Sequence, residues 1–83
     1  MKKSKNFDSK LSVKDFYVGL SSKVNGYDAK LLLRSALIGC GVSYSNVHEE
    51  TPLAPVDAKS ICLELIRAGG PSFQIGREMY KKI

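Results

Sequence analysis

Few of the residue types in this chain could do covalent or metal chemistry. His48 is the one histidine, and Glu49 and Glu50 are the only carboxylates beside it. A catalytic histidine needs a nucleophile and an orienting partner, and a metal site needs several converging ligands; neither pattern is visible at this spacing. Cys40 and Cys62 lie far apart and form no Cys-x-x-Cys pair, so a zinc ribbon and a thioredoxin-like redox motif are both unavailable. Gly39 and Gly41 lack the further glycine and the lysine that a phosphate-binding loop requires. These observations discount catalysis and imply neither a cofactor nor a metal. They leave His48 as an exposed residue in a polar turn, and the two cysteines as small core residues of a protein kept in a reducing cytoplasm.

A different chemistry, recognition, is suggested by Gly41-Val42-Ser43-Tyr44-Ser45-Asn46-Val47. The run resembles the turn and second-helix start of a helix-turn-helix. In that motif a glycine permits the turn, an apolar residue packs inward and a serine caps the recognition helix, whose first side chains meet base edges. The resemblance implies a helix from Tyr44 to Glu50, with Ser43, Tyr44, Ser45 and Asn46 at the nucleic acid and Val47 facing the core. Lys2, Lys3 and Lys5 at one end of the chain and Arg77, Lys81 and Lys82 at the other would supply phosphate contacts. Two features pull the other way. Glu49 and Glu50 carry negative charge on the proposed recognition helix, and Leu37, four residues before the glycine, is large where two closely crossing helices favour alanine.

The charge pattern bears on the same question. The net charge is +5, with eight Lys or Arg against three Asp in residues 1–34, one Lys against four acids in residues 35–64, and four Lys or Arg against one Glu in residues 65–83. Basic ends attract polyanions. The reading that follows is a small non-enzymatic DNA-binding regulator. The alternative is a protein-binding module, of the inhibitor, immunity or antitoxin kind or a small subunit of a larger complex, whose acidic middle and basic ends meet a protein target with Tyr17, Tyr27, Tyr44 or Tyr80 as anchors. A weaker third option is an RNA-associated role, from the interleaved aromatic and basic residues between Phe73 and Lys82.

These groups have to be held by a small scaffold. Ser12 as a cap places Asp15 three residues on, and Leu11 and Phe16 at the spacing of a hydrophobic staple. A helix is therefore predicted from Val13 to Val24, ended by Asn25-Gly26, with Val13, Phe16, Tyr17, Leu20 and Val24 on one face. Asp28 is expected to cap a second helix over residues 29–39. Its apolar residues leave only Lys30, Arg34 and Ser35 polar, so it is placed at the centre of the core. A third helix begins at Pro55 or is capped by Asp57, runs to Ala68, and is stopped by Gly69-Gly70-Pro71. The segment from Ser72 to Ile83 reads as a helix with Phe73, Gly76, Met79, Tyr80 and Ile83 on one side. Both 42–47 and 72–79 also tolerate a short strand.

The second and third helices share a pattern at a spacing of 29 residues. Asp28/Asp57, Ala29/Ala58, Lys30/Lys59, Gly41/Gly70 and Ser43/Ser72 are identical, and Tyr44/Phe73 are similar. This suggests two alike helix-glycine units packed together.

The expectation is thus a mainly α, single-domain bundle of three to five short helices with helix-turn-helix-like units over residues 11–83, preceded by a flexible basic arm over residues 1–10; the alternative is an α+β fold. A domain of 83 residues buries only about 60% of its unfolded surface, and a homodimer would add to that. The run of Lys at the N-terminus is followed by Asp8, Ser9 and Lys10 where a secretory signal needs an apolar stretch. Leu31 to Val42, the longest apolar tract, is interrupted by Arg34 and Ser35 and falls short of the roughly 20 residues a membrane span needs. A soluble protein with no membrane partner is expected.

Overall fold

Ser12 and Asp15 close the capping box that their spacing predicts: the Ser12 N–H donates to Asp15 Oδ2 at 2.8 Å, and the Asp15 N–H donates to Ser12 Oγ at 3.4 Å. The computed structural model describes residues 10–83. The arm expected over residues 1–10 lies outside the described residues except for Lys10, as do Lys2, Lys3 and Lys5. Among the described residues the order is α1 (Val13–Ser21), α2 (Gly26–Cys40), α3 (Pro55–Ala68) and α4 (Gly70–Tyr80), so the protein is a small, mainly α bundle.

Each helix follows from local rules, with corrections at the ends. α1 stops at Ser21 rather than Val24, and Asn25 does not end it but starts the next helix. Asn25 Oδ1 accepts the Asp28 N–H at 2.8 Å, while Asn25 Nδ2 donates to Asp28 Oδ2 at 3.1 Å. Asp28 therefore sits in the first turn of α2 beside the positive end of the helix dipole and is not its cap. α2 closes on Gly41, whose φ of 73° is left-handed. The Val42 N–H then reaches back to the Leu37 carbonyl at 3.0 Å, the Schellman arrangement. α3 takes the proline start, with Pro55 as its first residue and no side-chain cap.

α1 packs against α2 and α4, and α3 packs against α2 and α4, so the four helices close a ring. Inside it lies one core built from Val13, Phe16 and Leu20 of α1, Ala29, Leu33, Ala36 and Leu37 of α2, Ala58, Ile61, Cys62 and Leu65 of α3, and Ile75 and Met79 of α4. Full burial of a side chain such as Phe16 or Leu33 stabilises by about 1.5–3 kcal/mol. The tightest crossing is between α3 and α4. A Cβ added at Gly76 would stand 2.7 Å from the Cys62 carbonyl oxygen and 3.1 Å from the Ile66 nitrogen, so only glycine lets the two backbones meet there.

Further expectations are overturned. The recognition helix over Tyr44–Glu50 does not form, and neither does the alternative strand at 42–47. Residues 42–54 are an irregular connection, in which the one extended pairing among the described residues is an isolated antiparallel bridge between Ser12 and Pro52. The segment 72–79 is helical and not a strand, but its buried face is Ser72, Ile75, Gly76 and Met79, leaving Phe73 and Tyr80 exposed. α2 is not sheathed on all sides either. Tyr27 and Ile38 are each 71% exposed and Leu31 is 45% exposed, because a ring of four short helices covers only one face of each.

Candidate nucleic-acid interface

The connection from α2 to α3 folds back over α1 and is held by its own polar groups. Val47 and Leu53 are buried in the core. The Asn46 side-chain oxygen accepts the His48 N–H at 2.7 Å, a local turn that asparagine makes well. The Glu49 carboxylate accepts the Ser45 N–H at 2.6 Å and the Ser45 hydroxyl at 3.2 Å. These hydrogen bonds, the backbone N–H of Ser45 first, hold the Glu49 carboxyl below its usual range.

Two further contacts clip this loop to the start of α1. The Glu49 carbonyl accepts the Lys14 N–H at 3.0 Å, satisfying a donor that the first helical turn leaves unpaired. Glu50 forms an ion pair with Lys14 at 2.8 Å; the hydrogen bond and charge of Lys14 lower the Glu50 carboxyl, and Glu50 raises Lys14 in return. The His48 ring meets the Tyr17 ring edge to face, with centroids 4.9 Å apart. Glu49 and Glu50, which set negative charge on the supposed recognition helix, are therefore the residues that shape and anchor the loop.

What the loop shapes is an open cleft of about 420 Å³ against α2, lined by Lys30, Arg34, Tyr44, Ser45, Asn46, Val47 and His48. Lys30 and Arg34 are four residues apart and so neighbour each other on the helix surface. Both are exposed, and neither is in one of the two salt bridges among the described residues. No carboxylate lines the cleft. An arginine fork and a lysine ammonium side by side suit phosphate oxygens, and the tyrosine ring and asparagine amide can meet a base or sugar.

The predicted site residues scatter over several surfaces. Tyr44, Ser45 and Asn46 come together in the cleft, while Ser43 is exposed beside it. Ser45 is already committed to Glu49, and the oxygen of Asn46 to His48; the Asn46 amino group is left as a donor with only a 3.5 Å contact to Ser45 Oγ. Arg77 and Lys81 line a different groove, with Leu63, Ile66 and Tyr80. Lys82 lines a third, between α1 and α4, together with Lys10 and Glu78. Sequence reasoning missed Lys30 and Arg34, although with Ser35 they are the polar residues that interrupt the apolar run from Ala29 to Cys40, and that strip was the available signal. No group of three or more His, Cys, Asp or Glu lies together among the described residues, and no helix among them is long and apolar enough to cross a membrane.

No protein-family model, curated protein or solved structure matches the chain.

Proposed function

We propose that the protein is a small non-enzymatic nucleic-acid-binding factor, with DNA as the expected partner, and that its contact is the cleft between α2 and the loop and not a recognition helix. The observation that supports this reading is the meeting of two unpaired cations, Lys30 and Arg34, with Tyr44 and Asn46 in a cleft lined by no carboxylate. Phosphates would sit on Lys30 and Arg34, which sets affinity, and Tyr44 and Asn46 would act on the exposed nucleotide. A cytoplasmic location belongs to the same proposal and suits two free cysteines, Cys40 and Cys62.

Fluorescence anisotropy with short duplex and single-stranded DNA of random sequence tests it. If Lys30 and Arg34 each neutralise one duplex phosphate, log Kobs falls against log salt with a slope of about −2. Lys30→Glu with Arg34→Glu should remove binding while leaving thermal unfolding unchanged, since both side chains are exposed. Tyr44→Ala with Asn46→Ala should abolish any sequence preference. No binding at low salt, or an affinity indifferent to the double charge reversal, sinks the reading.

The second reading, a protein-binding module, is supported by the exposed large apolar residues Tyr27, Leu31 and Ile38 on α2, since exposed apolar surface on so small a domain marks an interface. If those residues join two copies, sedimentation should show a concentration-dependent dimer that Ile38→Glu dissolves.

A further inference from the structure

We infer that the groove along the outer seam of α3 and α4 is a docking site for an acidic amphipathic helix of another protein. The groove has a volume of about 320 Å³, and is lined by Leu63, Ile66, Arg77, Tyr80 and Lys81. Its floor is apolar, and the charged residues that line it, Arg77 and Lys81, are both cationic. Leu63 is 50% exposed and Tyr80 is 42% exposed, so the apolar surface is open to a partner. Arg77 and Lys81 lie four residues apart, and neither is ion-paired among the described residues. The Arg77 guanidinium rests 5.6 Å from the centroid of the Phe73 ring, a cation–π contact that holds it in place ahead of any partner.

Charge and shape together choose the occupant. A helix with apolar residues at i, i+3, i+4 and i+7 can lay them against Leu63, Ile66 and Tyr80, and glutamates flanking that stripe would meet Arg77 and Lys81. A phosphodiester chain would satisfy the two cations and gain nothing from Leu63 and Ile66. The apolar residues that α2 exposes, Tyr27, Leu31 and Ile38, carry Arg34 and Lys30 with them. Those cations repel Arg77 and Lys81, so a second copy docking through α2 does not fit the groove. The site is separate from the cleft lined by Lys30 and Arg34, and stands whether or not that cleft takes nucleic acid.

The test uses the full chain and a fluorescein-labelled synthetic peptide of about 16 residues, with leucines at those helical positions and glutamates beside them. Saturable binding is expected, with backbone amide shifts in the NMR spectrum at Leu63, Ile66, Arg77 and Tyr80. The same peptide with lysine replacing glutamate should bind at least about tenfold more weakly, and Arg77→Glu with Lys81→Glu should invert that preference. Lys30→Glu with Arg34→Glu should leave peptide binding unchanged, so failure of the cleft and failure of the groove are told apart. Circular dichroism checks that each variant is folded. The inference is overturned by absence of saturable binding at millimolar peptide, by equal binding of the two peptides, or by shifts that appear at the cleft instead. It is also overturned if a DNA oligonucleotide or phosphatidylserine vesicles shift these groove residues and the peptide does not.

Discussion

Two helix-glycine stretches, 29 residues apart, begin alike and end differently. Ala29 and Ala58 are both fully buried, as are Leu33 and Cys62, so the two helices use the same positions to enter the core. Beyond the glycines they part. After α2 the chain leaves Gly41 for an irregular loop, and Ser43 is exposed; after α3 it turns through Gly69 and Gly70 straight into α4, and Ser72 is fully buried with no partner for its hydroxyl. Two differences account for this. Pro71 stands in the first turn of α4 with its φ already set for a helix, and nothing at the equivalent place after α2 does so. More decisively, the position equivalent to Gly76 is Val47. A valine cannot approach the backbone of the preceding helix as Gly76 does, so the second stretch can close a helical hairpin and the first cannot. The lesson is that a shared helix pattern specifies the helix, while one glycine a turn or two later specifies what it packs against.

Gly76→Val should therefore do the most damage, because it places the residue of the loop stretch on the hairpin. The atoms it would strike are backbone, the Cys62 carbonyl oxygen at 2.7 Å among them, and overpacking against atoms that cannot step aside costs about 3 kcal/mol. Urea unfolding measures it; a loss well under about 1 kcal/mol would break the proposed distinction, since that is the low end of overpacking costs. Equivalent core positions come next. Leu37 is fully buried and its counterpart Ile66 is only half-buried, so Leu37→Ala should cost about 3 kcal/mol and Ile66→Ala about 1 kcal/mol in the same assay.

The two turns give a smaller contrast. Gly69 has φ 78° and ψ −172°, a region open essentially to glycine alone, so Gly69→Ala should cost about 2 kcal/mol. Gly41, at φ 73° and ψ 22°, is in the ordinary left-handed well, and Gly41→Ala should cost about 1 kcal/mol. Reversal of that order in thermal unfolding would show that the hairpin turn is slacker than its dihedrals imply.

Acidification has the smallest effect and falls on one stretch only. Glu49 and Glu50 are both lowered from an ordinary value of 4.5. Their contribution is therefore present at neutral pH and is lost as pH falls through the depressed folded values. Lys14 is raised from 10.5, so its share of the ion pair persists throughout that acid range and is lost only as pH climbs through its raised folded value. Between about pH 7 and about pH 3, amide exchange at Ser45 and Lys14 should lose protection, while Phe73, whose N–H donates to the Gly69 carbonyl, should not respond. Equal loosening at both places would mean that the carboxylates do not hold the loop.

Local patterns were enough for much of this fold. The Ser12–Asp15 box, the glycine exits and the apolar stripes of α1, α2 and α3 could be read from spacing, because each depends on residues within a turn or two of one another, whereas the start of α3 stayed open between Pro55 and an Asp57 cap. The start of α2 was misread because Asn25-Gly26 ends a helix as readily as it begins one. Whether Gly41–Glu50 would form a helix depended on groups distant in sequence, since Lys14, Leu11 and Tyr17 pin the loop through the Lys14 bonds to Glu49 and Glu50, the Leu53–Leu11 backbone bond and the His48–Tyr17 ring contact. The candidate site divides in the same way. Tyr44, Ser45 and Asn46 were picked out, with Ser43, as the start of a recognition helix that does not form. Their meeting with Lys30 and Arg34, and the separation of Arg77 and Lys81 into a groove with an apolar floor, came only from how the helices pack, because a cleft belongs to surfaces that chain neighbours do not share.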